Sequence, residues 1–182
     1  MPNHQLPLFS DAGGLNSGAL FSECRQFRYT LWRRWNWSRD RFCAFIGLNP
    51  STADECVEDP TMRRCIDFAR RWGCSGFWML NLFAKTTPYP KEMKAHPDPI
   101  GPENDFWIQT VHLASAFTVV AWGANGGYLD RNLAVEAMLG RTGKPLYCLG
   151  RTNQGLPRHP LFVPAATELE LYVPGCVQLG DK

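Results

Sequence analysis

Phe42-Cys43-Ala44-Phe45-Ile46-Gly47-Leu48-Asn49-Pro50-Ser51 is the stretch on which the fold turns. Its first seven residues form an apolar run as long as one strand, and a run with no polar face belongs in a sheet covered on both sides. Asn49-Pro50-Ser51 then stops it abruptly. Downstream, Asp59-Pro60 supplies a cap residue and a proline at the first helical position, which predicts a helix running to Trp72 and ending at Gly73. Within that helix Met62, Cys65, Ile66 and Ala69 keep the spacing of one face, and Arg63, Arg64, Arg70 and Arg71 fall mostly elsewhere.

The alternation continues toward the C-terminus. Gly76 to Phe83 reads as a second buried strand, Glu103 to Ala116 as a helix, and Phe117 to Trp122 as a third strand closed by Gly123. Asp130 to Leu139 is a helix and Pro145 to Leu149 a fourth strand. Strands alternating with helices predict an α/β fold of three layers, α/β/α, around a mainly parallel central sheet. Toward the N-terminus, Arg28 to Trp35 alternates imperfectly, as an edge strand does. Residues 1–20 are polar and glycine-bearing and read as a loose arm ahead of a single domain, 21–182. The five prolines of Lys85 to Pro102 predict a loop with neither regular helix nor sheet.

Bulk properties narrow the class. A chain of 182 residues at 45% hydrophobic can bury one domain's core, and 20% charged residues with a mean hydropathy of −0.27 argue against both disorder and a membrane protein. No apolar run approaches the roughly 20 residues that cross a bilayer. The start lacks the basic and apolar segments of a secretory signal. Seven cysteines, an odd number with no CxxC pair, predict reduced thiols in a cytoplasmic protein and no metal held through them. Asp54, Glu55, Glu58 and Asp59 crowd one loop; a divalent ion is one reading, and a solvated loop ending in a helix cap is the better one. No cofactor is expected.

Net charge is only +2, but its distribution is uneven. Arg25, Arg28, Arg33, Arg34, Arg39 and Arg41 interleave with Phe27, Tyr29, Trp32, Trp35 and Trp37. Arginine beside aromatic rings suits phosphate contact with base stacking. Long stems covering apolar surface explain the same pattern equally well.

Ligands of parallel sheets bind beyond the carboxyl ends of the strands, and the unusual residues of this chain stand there. Gly47 permits close backbone approach, Pro50 fixes the turn, and Asn49 can bond a water or a carbonyl, or simply cap its own turn. Asn81 interrupts an apolar strand with a buried amide that requires partners. Those partners are either neighbouring backbone or the edge of a nucleobase, for which an amide has donors and an acceptor. His159, after the fourth strand and a polar loop, is the one histidine of four at a strand end; on residue type alone a structural role is the commoner one.

Two resemblances add to this. Arg28-Tyr29-Thr30-Leu31, Gly47 through Asp54, Asp59-Pro60-Thr61, Asn81-Leu82-Phe83-Ala84, Gly101-Pro102-Glu103-Asn104-Asp105, Ala121-Trp122-Gly123 and Pro157-Arg158-His159-Pro160-Leu161 resemble the bacterial and phage family DUF1643, to which no chemistry is assigned. More remotely, the order of motifs resembles the uracil-DNA glycosylase superfamily. Gly47-Leu48-Asn49-Pro50 is similar to its Gly-x-x-Pro strand end, Asn81 stands where an Asn reads the flipped base, and His159-Pro160-Leu161 resembles its His-Pro-Ser motif with Leu161 in place of serine.

That resemblance implies a uracil-DNA glycosylase-like fold and hydrolysis of an N-glycosidic bond to a modified, damaged or mispaired base. Asn49 and His159 would be catalytic, Asn49 placing water and His159 stabilising the departing base. Asn81, Gly47, Pro50 and Phe83 would hold that base, with stacking from Phe83, Tyr89 or Trp122. Arg28, Arg33, Arg34 and Arg64 would meet DNA phosphates. The alternatives are a non-catalytic binder of a nucleotide or modified nucleic acid, and a metal-dependent hydrolase using the acidic loop.

Overall fold

The computed structural model describes residues 17–51 and 59–175. Seven strands form one mixed sheet: β1 (Ser17–Phe21), β2 (Arg28–Arg34), β3 (Phe42–Gly47), β4 (Gly76–Asn81), β5 (Phe117–Val120), β6 (Leu146–Cys148) and β7 (Glu170–Tyr172). Their order is β1-β2-β4-β3-β5-β6-β7. The pairs β4/β3, β3/β5 and β5/β6 are parallel, whereas β1/β2, β2/β4 and β6/β7 are antiparallel. A mainly parallel sheet therefore describes only the middle. β2 and β7, too polar or too short to show as core strands, add antiparallel margins.

Four helices connect the strands: α1 (Pro60–Arg71), α2 (Pro90–Ala95), α3 (Asn104–Ala114) and α4 (Arg131–Gly140). α1 forms where the cap signal placed it, with the Asp59 carboxylate accepting the Met62 amide at 2.8 Å. The chain turns after Trp72 through Gly73 at φ 71°, a left-handed conformation that glycine adopts without strain. Met62, Cys65, Ile66, Phe68 and Ala69 of α1 pack on Cys43, Phe45, Phe77, Met79 and Val119, one face of the sheet. Ile108 and Val111 of α3 and Val135 and Leu139 of α4 pack on Ala44, Ile46, Trp78, Leu80 and Val120, the other face.

The helices divide between the faces because a parallel crossover is right-handed. The chain moves one way from β3 to β4 and the other way from β4 to β5 and β6. The reversal makes a crevice at the carboxyl ends of β3 and β5, where ligands of such sheets bind.

Three expectations need correction. Arg28–Arg34 is not an edge strand, because Ser17–Phe21 of the supposed arm pairs along it, Ser17 opposite Arg33. The arm thus ends by Ser17, and residues 1–16 lie outside the described residues. Lys85 to Pro102 is not devoid of regular structure, since α2 opens at Pro90, a position where a missing amide hydrogen costs nothing.

The five described cysteines, Cys24, Cys43, Cys65, Cys74 and Cys148, are free thiols, and burial pushes the Cys43, Cys65 and Cys148 thiols above the usual range. Cys56 and Cys176, like Asp54, Glu55 and Glu58, lie outside the described residues. No helix among the described residues is long and apolar enough to cross a membrane.

Candidate functional site

A cavity of about 810 Å³ opens at the carboxyl edge, on the α1 side of β3 and β4. Gly47, Asn49, Asn81 and His159 all line it, so residues from three different strand ends meet in one place. Apolar walls come from Met62, Met79 and Trp122.

Asn81 closes β4 and is 2% exposed, and its Nδ2 is buried without a protein partner. An unmatched amide of this kind costs about 1–3 kcal/mol. Gly47, its register partner on β3, makes room for it. A Cβ on Gly47 would stand 2.9 Å from Asn81 Oδ1 and 3.2 Å from Met79 Cε. Glycine is required here by space rather than by backbone angle.

The backbone of Asn81 is fixed from below. Asn104, the first residue of α3, donates Nδ2 to the carbonyls of Asn81 (3.1 Å) and Leu82 (2.9 Å). Arg131, the first residue of α4, donates Nε to the Leu82 carbonyl at 2.8 Å and pairs with Asp105.

Asn49 donates Nδ2 to the carbonyls of Thr87 (2.7 Å) and Pro50 (3.1 Å). Its donors are spent holding the segment after β4, and Oδ1 is the acceptor it offers to the cavity. His159 accepts the Leu161 amide at Nδ1 (3.3 Å), capping a short 3-10 turn at Pro160–Phe162. A nitrogen that accepts carries no proton, so the neutral ring keeps its hydrogen on Nε2. Burial pushes the His159 pKa below the usual histidine range, against an opposing pull from the Asp59 carboxylate. The ring is thus neutral at neutral pH and can donate from Nε2. Asp59 also lines the cavity, with its carboxylate engaged by the Ser51 hydroxyl and the Met62 amide. It is the helix cap the sequence suggested. Among the described residues no cluster could hold a metal ion.

Other expected site residues stand elsewhere. Phe83 is fully buried and packs on Tyr128 in the core of the opposite face, not on the cavity wall; β4 ends at Asn81, and the turn that follows takes Phe83 out of the alternation that would have set it on Asn81's side. Pro50 is buried beside the cavity rather than on its wall, and its carbonyl accepts the Thr87 amide at 3.0 Å. Trp122 is the stacking candidate that reaches the cavity, whereas Tyr89 is exposed beyond it, next to Pro90 on the wall.

The arginines expected to form a track are largely engaged within the protein. Arg28 does line the cavity, as a buried residue. Arg33 is buried and donates to the Trp32 carbonyl at 3.0 Å. Arg34 lies over Trp37, bonds the Asn36 and Arg39 carbonyls and pairs with Asp40. Arg64 donates to the carbonyls of Pro160 (3.4 Å) and Val163 (2.5 Å), bracing the turn that follows His159. The guanidinium groups of Arg33, Arg34 and Arg64 donate to the protein's own carbonyls, and Arg34 also lies over a ring.

The sequence puts Arg151 to His159 at a strand end but gives no role to Arg158, Thr152, Asn153 or Gln154, which form one wall. Their signal was the glycine-flanked polar loop after β6, where Gly150 (φ 89°) and Gly155 (φ 78°) set a tight reversal closed by the Arg151–Pro157 bridge.

The family model described as "Protein of unknown function (DUF1643)" matches residues 28–161. The chain belongs to the DUF1643 family. No curated protein and no solved structure matches it. The DUF1643 match opens at Arg28 on the cavity wall and closes at Leu161, two residues past His159, so Asn49, Asn81 and His159 all fall inside it.

Proposed function

We propose that this cavity receives a nucleobase and that the protein hydrolyses the N-glycosidic bond of a modified, damaged or mispaired base in DNA, as a uracil-DNA glycosylase-like enzyme. The observation that carries the reading is the convergence of Asn49, Asn81 and His159 on one cavity, each in the hydrogen-bonding state its role needs. A base in a duplex must first leave the stack, at a cost of a few kcal/mol. Asn81 Nδ2, buried and unmatched, is compensated when the base edge accepts from it.

A water donating to Asn49 Oδ1 would be held with its lone pair toward the sugar carbon. As the carbon–nitrogen bond breaks, its electron pair goes to the base. His159 Nε2–H stabilises that charge by a hydrogen bond in a partly water-excluded site. The water oxygen bonds the sugar carbon, its proton leaves to solvent, and the free base and an abasic sugar result.

A second reading, recognition of a nucleotide without chemistry, is favoured by one observation. Arg33, Arg34 and Arg64 are occupied within the protein and leave little basic track for a duplex.

Base release from oligonucleotides carrying a panel of modified bases separates the two. Release by wild type, reduced about 100-fold or more in a folded Asn49→Ala variant, is the expected result. Tight base-dependent binding with no release across the panel would leave the second reading in its place.

A further inference from the structure

We propose that Arg158 grips a phosphate group attached to the base held at Asn81, so that the cavity recognises a whole nucleotide unit. The proposal rests on the nucleobase reading above and deepens it. At about 810 Å³ the cavity lies in the upper part of the roughly 300–1,000 Å³ usual for small-molecule sites. A base against Asn81 leaves room for its sugar and phosphate.

Arg158 is tethered differently from its neighbours. Its amide donates to the Gly150 carbonyl at 3.0 Å, and its Nε donates to the Arg151 carbonyl at 2.8 Å. Its Cδ lies 3.7 Å from where a Cβ on Gly150 would stand, so the stem runs past a position kept bare by glycine. Stem and Nε are fixed, and the two terminal nitrogens bond no described residue. The other arginines nearby use theirs inside the protein: Arg151 on the Gly155 and Val173 carbonyls, Arg64 on Val163, and Arg71 on Ala165 and Thr167.

A guanidinium held by Nε with both ends open is a planar fork matched to phosphate oxygens. Thr152, Asn153 and Gln154 stand beside it on the cavity wall as uncharged hydrogen-bonding groups. The carboxylate in the same cavity, Asp59, is occupied by Ser51 and Met62. Glu170 Oε1 lies 3.9 Å from the same Cβ position on Gly150, yet among the described residues no carboxylate is ion-paired with Arg158. Asn81 is buried and Arg158 exposed, which puts the base inward and the phosphate at the rim.

The test is calorimetric titration of the full chain with the common deoxynucleosides, their 5′-monophosphates and short single-stranded oligonucleotides, together with phosphorus NMR of inorganic phosphate. The wild type should bind a monophosphate or a strand about 10- to 100-fold tighter than the matching nucleoside, the effect of one charge-assisted bidentate contact. Arg158→Gln, which keeps a donor for the Arg151 carbonyl, should abolish that advantage, and Arg158→Lys should restore only part of it. Asn81→Ala should weaken nucleoside and nucleotide alike. A monophosphate preferred over the strand identifies a free nucleotide, and the reverse identifies a strand phosphate; either supports the grip. Nucleosides binding as well as monophosphates and strands would overturn the grip and leave the base reading standing. Arg158-dependent line broadening of inorganic phosphate without any nucleoside or nucleotide binding would remove the base reading and leave an anion site. If no probe binds, both fall.

Discussion

The two ends of the parallel strands are built to different standards of completeness. At the amino end, Ser75 is almost fully buried, yet its hydroxyl accepts the Arg41 amide at 2.8 Å and donates to the Arg41 carbonyl at 3.0 Å. Its own carbonyl takes the amides of Trp35 and Asn36, and the Trp35 indole donates to Cys74. His112 is held between the hydroxyls of Thr118 (2.8 Å) and Thr142 (3.0 Å). Among the described residues one buried side-chain atom there, Nε1 of Trp72, lacks a partner. The carboxyl end leaves Asn81 Nδ2 and Trp122 Nε1 unmatched on residues of one cavity, and Asn104 Oδ1 unmatched beneath β4. Since each such atom costs free energy, the difference sets an end that is satisfied within the protein apart from an end that holds unmatched polar atoms beside a cavity, as the proposed function requires.

The sharpest way to break this contrast is to fill the space that keeps Asn81 available. Gly47→Ala should displace the Asn81 amide and lower base-dependent binding about 10- to 100-fold, while the melting transition moves only by the 1–3 kcal/mol typical of overpacking. Equal base affinity in the variant and the wild type would mean that Asn81 does not read the ligand.

Ser75→Ala asks the converse question at the other end. It should cost about 1–3 kcal/mol in denaturant unfolding, because the Arg41 amide is left unmatched, and ligand affinity should not change. A fall in affinity beyond the loss of folded protein would show that the two ends are coupled.

Acid should also affect the ends differently. Burial, helped by Lys144, pushes the His112 pKa down to about 4, so the fold keeps the ring neutral while the unfolded chain protonates it near 6.5. Stability should therefore drop as pH falls from about 6.5 toward 4, and His112→Asn should flatten that slope. The His159 pKa is also lowered, by burial, so any His159-dependent base release should persist to somewhat below the usual histidine range and fail once the ring is charged.

The smallest effect concerns salt. Arg64→Ala should leave the salt dependence of nucleic-acid binding unchanged, since its guanidinium already serves Pro160 and Val163. A slope reduced by about one unit would return Arg64 to the phosphate track.

Much of this was legible where periodicity and punctuation carried the information. The run at Phe42–Leu48, the Asp59-Pro60 cap and the Gly73 stop appear in the structure within a residue or so, because burial and capping are local properties. The meeting of Asn49, Asn81 and His159 followed from their placement at or after the ends of three parallel strands, β3, β4 and β6, which topology brings to one edge. What sequence could not resolve was direction. Phe83 and Asn81 are two residues apart at a strand end, yet the turn sends one into the core of the opposite face. The arginines beside tryptophans read equally as phosphate ligands or as braces, and their carbonyl partners are not visible in the sequence. β1 and β7 are short margins without the apolar signature of the middle strands, so β1 falls largely within the expected arm and β7 has no counterpart among the expected strands.

Asn49 and His159 are 110 positions apart, with β4, β5 and β6 between them. Contacts this distant in sequence form late, after the chain has met the entropy of closing the intervening loops. A nascent chain folded only through β4 would present the Asn49 and Asn81 amides without the His159 imidazole. On the proposed reading, turnover would begin only when the last parallel strand has docked, and the appearance of base release during refolding would be a clock for that final step.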